Sequence, residues 1–217
     1  MTLNLFADPE QGRTWREELC PGAVVLRRFA APDEMDIFAA LHGITVKAPF
    51  RHMVTPGGFL MSVAMTNCGS YGWVTDRTGY RYDAADPESG KPWPRMPGVF
   101  LQLAQDAAAS AGFRGFEPDA CLINRYNPGA RLSLHQDKNE RDLGAPIVSV
   151  SLGIPAVFLF GGSQRQDKPM RVQLMHGDVV VWGGPARLRY HGVMPLKEGY
   201  HALAGEHRIN LTFRKAA

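Results

Sequence analysis

From residue 119 almost to its end, the chain is a series of short apolar runs broken by turn residues. Nothing else in it constrains the fold as strongly. The runs are "ACLINRY", "ARLSLHQD", "IVSVSLGI", "AVFLFGG", "MRVQLM", "DVVVWGG", "LRYHGVM" and "RINLTF". Turn residues at such short intervals point to an antiparallel sandwich or barrel, and eight strands favour a jelly roll, the double-stranded β-helix. Upstream, "GAVVLRRF" (22–29) reads as a strand. "APDEMDIFAALHGI" (31–44) reads as a helix, with Pro32 in its first turn and Met35, Phe38 and Leu41 as its apolar stripe. Residues 51–66 predict two strands around Pro56-Gly57-Gly58, and 67–97 a long loop of the kind that serves as a binding loop or lid. A second helix fits 97–111, with Phe100, Leu103 and Ala107 inward and Gly112 at its end. The expected class is therefore mainly β with flanking helices (α+β), and residues 1–20 are expected to be a flexible N-terminal segment.

A jelly roll implies no function by itself, so the chemistry has to come from the residues that face its interior. "RINLTFR" (208–214) alternates with period two: Ile209, Leu211 and Phe213 share one face, and Arg208, Asn210, Thr212 and Arg214 the other. Two guanidiniums with an amide between them suit an anion. "LINRY" adds Asn124 and Tyr126 on one face of a neighbouring run, both able to hydrogen-bond inward. A dicarboxylate that chelates a metal at one end and meets arginine at the other would use this set. The alternative is a salt-bridged interior, which is costly where nearby strands supply few acids.

The metal would come from "SLHQDKNE", where His135 and Asp137 lie at i, i+2 on one face. With a later histidine they make the 2-His-1-carboxylate triad of non-heme Fe(II) sites. Seven histidines and 21 acids give roughly 0.7 chance matches to His-x-acid, so the pair alone decides little. A second match, His176-Gly177-Asp178, is already explained by hairpin-turn chemistry. For the distal ligand, His207 is excluded if Arg208 points inward, His201 falls in a loop, and His42 and His52 lie upstream of the strand-rich half. His191, in "LRYHGVM", fits best.

Composition excludes several classes. Hydrophobic content of 45% and charged content of 21% are those of an ordinary globular chain, and a formal charge of +3 permits a polyanionic partner without requiring one. Three scattered cysteines with no CxxC argue against a thiolate zinc site or a disulfide framework and for a reducing, intracellular setting. There is no secretory signal and no apolar stretch of roughly 18–20 residues that would span a membrane.

"CLINRYNPGARLSLHQDKNE", "PIVSVSLGIPAVFLFGG", "HGDVVVWGGPARLRYHGV" and "HRINLTFR" resemble the AlkB family of Fe(II)/2-oxoglutarate-dependent dioxygenases. "MVTPGGFLMSVAMTNCGSYGWVTDRTGYRY" looks like that family's nucleotide-recognition lid. The resemblance covers residues 20–215. It implies one dioxygenase domain over 21–217, with the lid at about 48–96 and the jelly-roll core at about 119–215. It further implies Fe(II) on His135, Asp137 and His191, and 2-oxoglutarate on Asn124, Tyr126, Arg208, Asn210 and Arg214. The implied reaction uses O2 to dealkylate N-alkylated bases such as N1-methyladenine and N3-methylcytosine in single-stranded or duplex DNA, or in RNA. Formaldehyde, succinate and CO2 are its products.

The target base must leave its stack and lie between flat side chains. Trp73, Tyr80, Arg81, Tyr82, Asn139 and Arg165 are the expected substrate contacts, with the ring of His135 opposite Trp73. Arg51, Arg77 and Lys138 are further candidates for phosphate or base, and Met53, Met61 and Met65 read as core or pocket wall. In the bacterial members that this stretch resembles, an aspartate stands where this chain has Asn139. The implied protein is cytoplasmic and monomeric. A hydroxylase acting on a protein or small molecule shares the triad and the anion set, and a non-catalytic jelly-roll module would need neither.

Overall fold

The computed structural model describes residues 14–217. Of the expected flexible segment, residues 1–13 lie outside the described residues, whereas Trp15–Cys20 form a strand, β1, in place of a loose tail. It turns at Pro21-Gly22 and pairs antiparallel with β2 (Ala23–Arg27), so an edge of the large sheet starts earlier than its polar sequence suggests.

A short 3-10 turn then leads into α1 (Glu34–Lys47). β3 (Arg51–Val54) and β4 (Leu60–Gly69) form the expected hairpin, and β5 (Gly72–Asp76) and β6 (Gly79–Asp83) a second one. After α2 (Gly98–Ser110) come β7 (Ala120–Tyr126), β8 (Leu132–His135), β9 (Ile147–Gly153) and β10 (Ala156–Phe160). β11 (Met170–Leu174), β12 (Val179–Trp182), β13 (His191–Val193) and β14 (Arg208–Arg214) complete the chain. All eight runs downstream of residue 119 are strands. The eight-stranded sheet has the order β1-β2-β12-β9-β14-β7-β4-β3, and the four-stranded sheet β11-β10-β13-β8. Their pairings are antiparallel, as in a jelly roll.

The alternation along β14 decides what lies on either side of the large sheet. Ile209, Leu211 and Phe213 join the helices in one apolar cluster, where Phe100 meets Phe213 edge-to-face at 6.0 Å. Arg208, Asn210, Thr212 and Arg214 face the space between the two sheets, and all are buried. The helix α1 seals the other side with Ile37, Leu41 and Ile44, spaced i, i+4, i+7. Of the expected stripe only Leu41 is fully buried, and Met35 is 65% exposed. Two residues turn a helix by about 200°, so Met35 lies on the side opposite Ile37.

Residues 67–97 are more ordered than the predicted loop. β4 runs on to Gly69, and β5–β6 closes over Arg77-Thr78, where Asp76 Oδ1 accepts from the Thr78 amide at 2.8 Å. A two-stranded sheet has little stability alone, and this one is hooked to the body. Asn67 Nδ2 donates to the Trp73 carbonyl and Asn67 Oδ1 accepts from the Trp73 amide, both at 3.0 Å. Thr75 donates to the Val54 carbonyl, and the Trp93 indole to that of Asp83. Among the described residues no helix is long and apolar enough to cross a membrane, and all three cysteines are free.

Candidate active site

A cavity of about 900 Å³ opens between the two sheets beneath the β5–β6 hairpin. Its floor is made where β13 pairs with β8. His191 stands directly opposite His135, with ring centroids 4.4 Å apart. Asp137 follows the end of β8, its Oδ1 3.7 Å from His135 Nε2 and its Oδ2 3.6 Å from His191 Nε2. The ligand atoms of the three residues lie within 4.8 Å of one another, the one such group among the described residues. Each imidazole turns Nδ1 to a main-chain carbonyl, His135 to Ser133 at 2.8 Å and His191 to Arg189 at 3.1 Å. Nδ1 therefore carries the proton, and the Nε2 lone pair points to the centre, the tautomer a metal requires.

Protonation agrees with that role. Burial, then the neighbouring His191, pushes His135 down to about 4, so its ring is neutral near pH 7. Burial would raise the Asp137 carboxyl, but the Arg214 guanidinium and His191 outweigh it and hold the group well below the usual carboxylate range. Arg214 reaches Asp137 Oδ2 through Nε at 2.9 Å and Nη2 at 2.6 Å, which leaves Oδ1 for a cation.

The far end of the cavity is set by register. Arg208 is opposite Tyr126, and Asn210 opposite Asn124. The Arg208 guanidinium sits 4.9 Å over the Tyr126 ring, and its Nε donates to Ser151 at 3.0 Å. Asn210 donates to Ser149 and to the Val150 carbonyl, and Asn124 donates to Asn210. Arg208 Nη1, the Tyr126 hydroxyl and Asn124 Oδ1 are buried without a hydrogen-bond partner among the described residues. Orphaned buried polar atoms are costly. Three of them lining one cavity suit a polar ligand, and next to a guanidinium it would be an anion such as a carboxylate. Donor chemistry and orphaned atoms thus fit both Fe(II) and 2-oxoglutarate.

The mouth is lined by Trp73 and Tyr80, stacked at 5.7 Å, with Asn139, Lys138 and Arg165 exposed around them. The Trp73 indole donates to Asn139 Oδ1 at 3.4 Å. Met61 and Met65 also line the cavity, while Met53 belongs to the core. Among the described residues that line the cavity Asp137 is the one acid, against Arg131, Lys138, Arg165, Arg208 and Arg214.

Not every expected contact is brought here. Arg81 points away, to Asp76 at 3.0 Å and Asp83 at 3.6 Å, because Tyr80 and Tyr82 take the other face of β6. The Tyr82 hydroxyl is directed inside the protein, donating to Glu140 at 2.6 Å. Arg51 pairs with Asp86 and Glu88, and Arg77 lies at the hairpin turn, outside the cavity. Arg214 has the acid partner that a salt-bridged interior requires, whereas Arg208 has none among the described residues.

The second His-x-Asp is structural. Asp178 caps the Arg28 and Met175 amides and pairs with Arg27. His176 accepts from the Gly153 amide and meets Glu34 at 2.7 Å, and Gly177 has φ +84°. Ser149, Ser151, Trp182, Glu140 and Arg187 were not singled out from the sequence. The two serines left a signal, polar residues two apart inside an apolar run.

The 2OG-Fe(II) oxygenase superfamily model matches residues 22–214. The alpha-ketoglutarate-dependent dioxygenase AlkB of Salmonella typhimurium is 59% identical over 215 residues, 99% of this chain and 98% of that protein. The AlkB of Escherichia coli is 59% identical over 214 residues, again 99% and 98% of the two chains. Among solved structures, that of OsALKBH1 matches with a TM-score of 0.81 at 30% identity, covering 93% of this chain and all of that one.

Proposed function

Since this chain belongs to the AlkB family within the 2OG-Fe(II) oxygenase superfamily, we propose that it dealkylates nucleobases oxidatively, with 2-oxoglutarate and O2 as co-substrates. One observation carries the reading. A stacked aromatic pair, Trp73 and Tyr80, and the His135–Asp137–His191 group line a single cavity. A base withdrawn from its strand can lie against the pair with its alkylated nitrogen toward the metal.

His135, Asp137 and His191 hold Fe(II) through two imidazoles and one carboxylate oxygen. Bound iron, with O2 and 2-oxoglutarate, supplies the oxidation of the N-alkyl carbon; a methyl group leaves as formaldehyde while 2-oxoglutarate becomes succinate and CO2. Arg208 and Tyr126 bind the distal carboxylate of the co-substrate, with Asn124 beside it. Asn210 braces that end through Ser149, and Arg214 holds Asp137 in place. Lys138 and Arg165 meet the phosphates of a DNA or RNA strand at the mouth. The lid spans about residues 48–96 and closes over a core of about 119–215. Every residue named lies in one chain, so a monomer suffices, and three free cysteines suit the reducing cytoplasm. The test is succinate formation with Fe(II) on methylated and on unmodified oligonucleotides. Equal rates on both would move the activity to a protein or small-molecule substrate.

Trp73→Ala is expected to weaken binding of a methylated oligonucleotide by about 1–3 kcal/mol, the usual worth of base–aromatic stacking. Turnover of 2-oxoglutarate without nucleic acid should persist. A fluorescence-anisotropy titration decides, and unchanged affinity would leave Trp73 as a packing residue.

Asn139 bears on which lesions are taken. N1-methyladenine and N3-methylcytosine are cations, and an amide offers hydrogen bonds without charge. Bonds to charged groups contribute about 1.5–3 kcal/mol, against about 0.5–1.5 between neutral groups. Asn139→Asp should therefore shift the ratio of cationic to neutral repair (N3-methylthymine, N1-methylguanine) toward the cations by roughly tenfold. A ratio that stays put in a lesion panel would show that residue 139 does not set charge preference.

A further inference from the structure

A closed ring of hydrogen bonds starts and ends at Asp137 and passes from the cavity wall, Asp137 and Arg214, to Tyr82, Glu140 and Arg187 outside the lining. The Asp137 carboxylate takes Nε and Nη2 of Arg214. Arg214 Nη1 donates to the Tyr82 hydroxyl at 3.3 Å, and that hydroxyl donates to Glu140 Oε1 at 2.6 Å. Glu140 Oε2 accepts from Arg187 Nη2 at 3.0 Å. Arg187 closes the ring by donating through Nη1 to the main-chain carbonyl of Asp137 at 2.7 Å, while its Nε goes to the Ala145 carbonyl at 3.0 Å.

Two carboxylates balance two guanidiniums. The Arg187 side chain is 3% exposed and that of Glu140 1%. Burying four charges costs several kcal/mol per ion before pairing, so a hydrophobic cluster would serve better if stability were all that was needed. What the ring does is fix geometry. It holds Asp137 by carboxylate and backbone at once, with Oδ1 toward His135. Tyr82 brings in the lid, because it is the direct cross-strand partner of Trp73 on the β5–β6 hairpin.

We propose that this ring is a latch coupling the lid to the metal carboxylate. Glu140 and Arg187 are positioning residues for Asp137, and the Tyr82 hydroxyl ties the seating of the Trp73 hairpin to that carboxylate. Metal at the triad then stiffens residues 72–83, and by reciprocity a seated hairpin favours the metal. This rests on the metal reading above.

Hydrogen exchange of residues 72–83, with and without Mn(II), tests it alongside Mn(II) titration of the same samples. In the wild type, Mn(II) should slow exchange across the hairpin. Tyr82→Phe keeps the aromatic side chain and removes only the hydroxyl, which opens the latch. It should remain folded, exchange about tenfold faster in the hairpin, and lose the response to Mn(II). Glu140→Gln, nearly isosteric, should bind Mn(II) about 10- to 100-fold more weakly, the usual effect of losing a partner behind a metal ligand. The latch is overturned if Tyr82→Phe keeps wild-type exchange and its response to Mn(II), or if Glu140→Gln binds Mn(II) as the wild type does. Faster exchange that still responds to Mn(II) would reduce Tyr82 to a packing role and also overturn it. A wild type that binds no Mn(II) would instead sink the metal reading itself.

Discussion

His191→Ala should lower 2-oxoglutarate-dependent turnover by on the order of 10³-fold or more while the chain stays folded, because an open metal site has no ligand to spare. The imidazole lies opposite His135 in the β8–β13 pair, and its removal leaves one histidine and one carboxylate on the cavity floor. Its packing against Trp182, at 4.9 Å between centroids, is lost too. It borders an existing cavity, so that loss is the lesser effect. Succinate produced at saturating Fe(II), read beside a thermal melt, separates the two. His176→Ala is the control. It removes an acceptor from the Gly153 amide and a partner from Glu34, costing about 1–3 kcal/mol of stability, and should leave turnover near wild type. If His176→Ala abolished turnover and His191→Ala did not, the distal ligand would be wrongly assigned.

Asp137→Ala is a poorer probe of the same idea. Asp137 is a candidate ligand and also the nearest acid to buried Arg214, whose other carboxylate, Glu140, is 3.5 Å away. Removing one partner of a buried pair typically costs about 3–5 kcal/mol. A dead Asp137→Ala would therefore not distinguish lost metal from lost fold.

What could be read in the sequence follows the physics of each element. The alternation over 208–214 was legible because β14 is central, with helices on one side and the cavity on the other, so each face imposes its own residue types. The β5–β6 hairpin was not. Its order comes from Asn67, Thr75 and Trp93, contacts with the body that no local pattern reveals. Without the hairpin, the sequence does not sort residues 80–82 by face, and Arg81 falls in with Tyr80. Glu140 and Arg187 stayed hidden for another reason. "DKNERD" reads as a solvated turn, and the partner that makes Glu140 a buried ion is 47 residues away. Ser149 and Ser151 could have been found, since period-two serines in a fully buried strand mark a polar face.

Arg208→Ala should raise the 2-oxoglutarate concentration needed for half-saturation by between about 30-fold and several thousand-fold. That is the equivalent of about 2–5 kcal/mol for losing one side of a buried charge pair. Arg208 is 1% exposed and pairs with no acid among the described residues, and burial pulls its guanidinium down from its ordinary value. Among the described residues its Nη1 and the adjacent Tyr126 hydroxyl have no hydrogen-bond partner, so a bound carboxylate would satisfy both. Arg214 is different, because Asp137 already occupies it. Its substitution disturbs the candidate metal carboxylate and the latch together, so a loss of 2-oxoglutarate affinity there would not report on one contact. Arg208→Lys sharpens the test: it keeps the charge, loses the planar fork and the stack on Tyr126, and should fall between wild type and alanine. Calorimetric titration of 2-oxoglutarate into Mn(II)-loaded protein, in which no turnover intervenes, gives the three affinities directly. If Arg208→Ala bound 2-oxoglutarate as tightly as the wild type, the anion end of the cavity would lie elsewhere, and the orphaned Nη1 and Tyr126 hydroxyl would need another ligand.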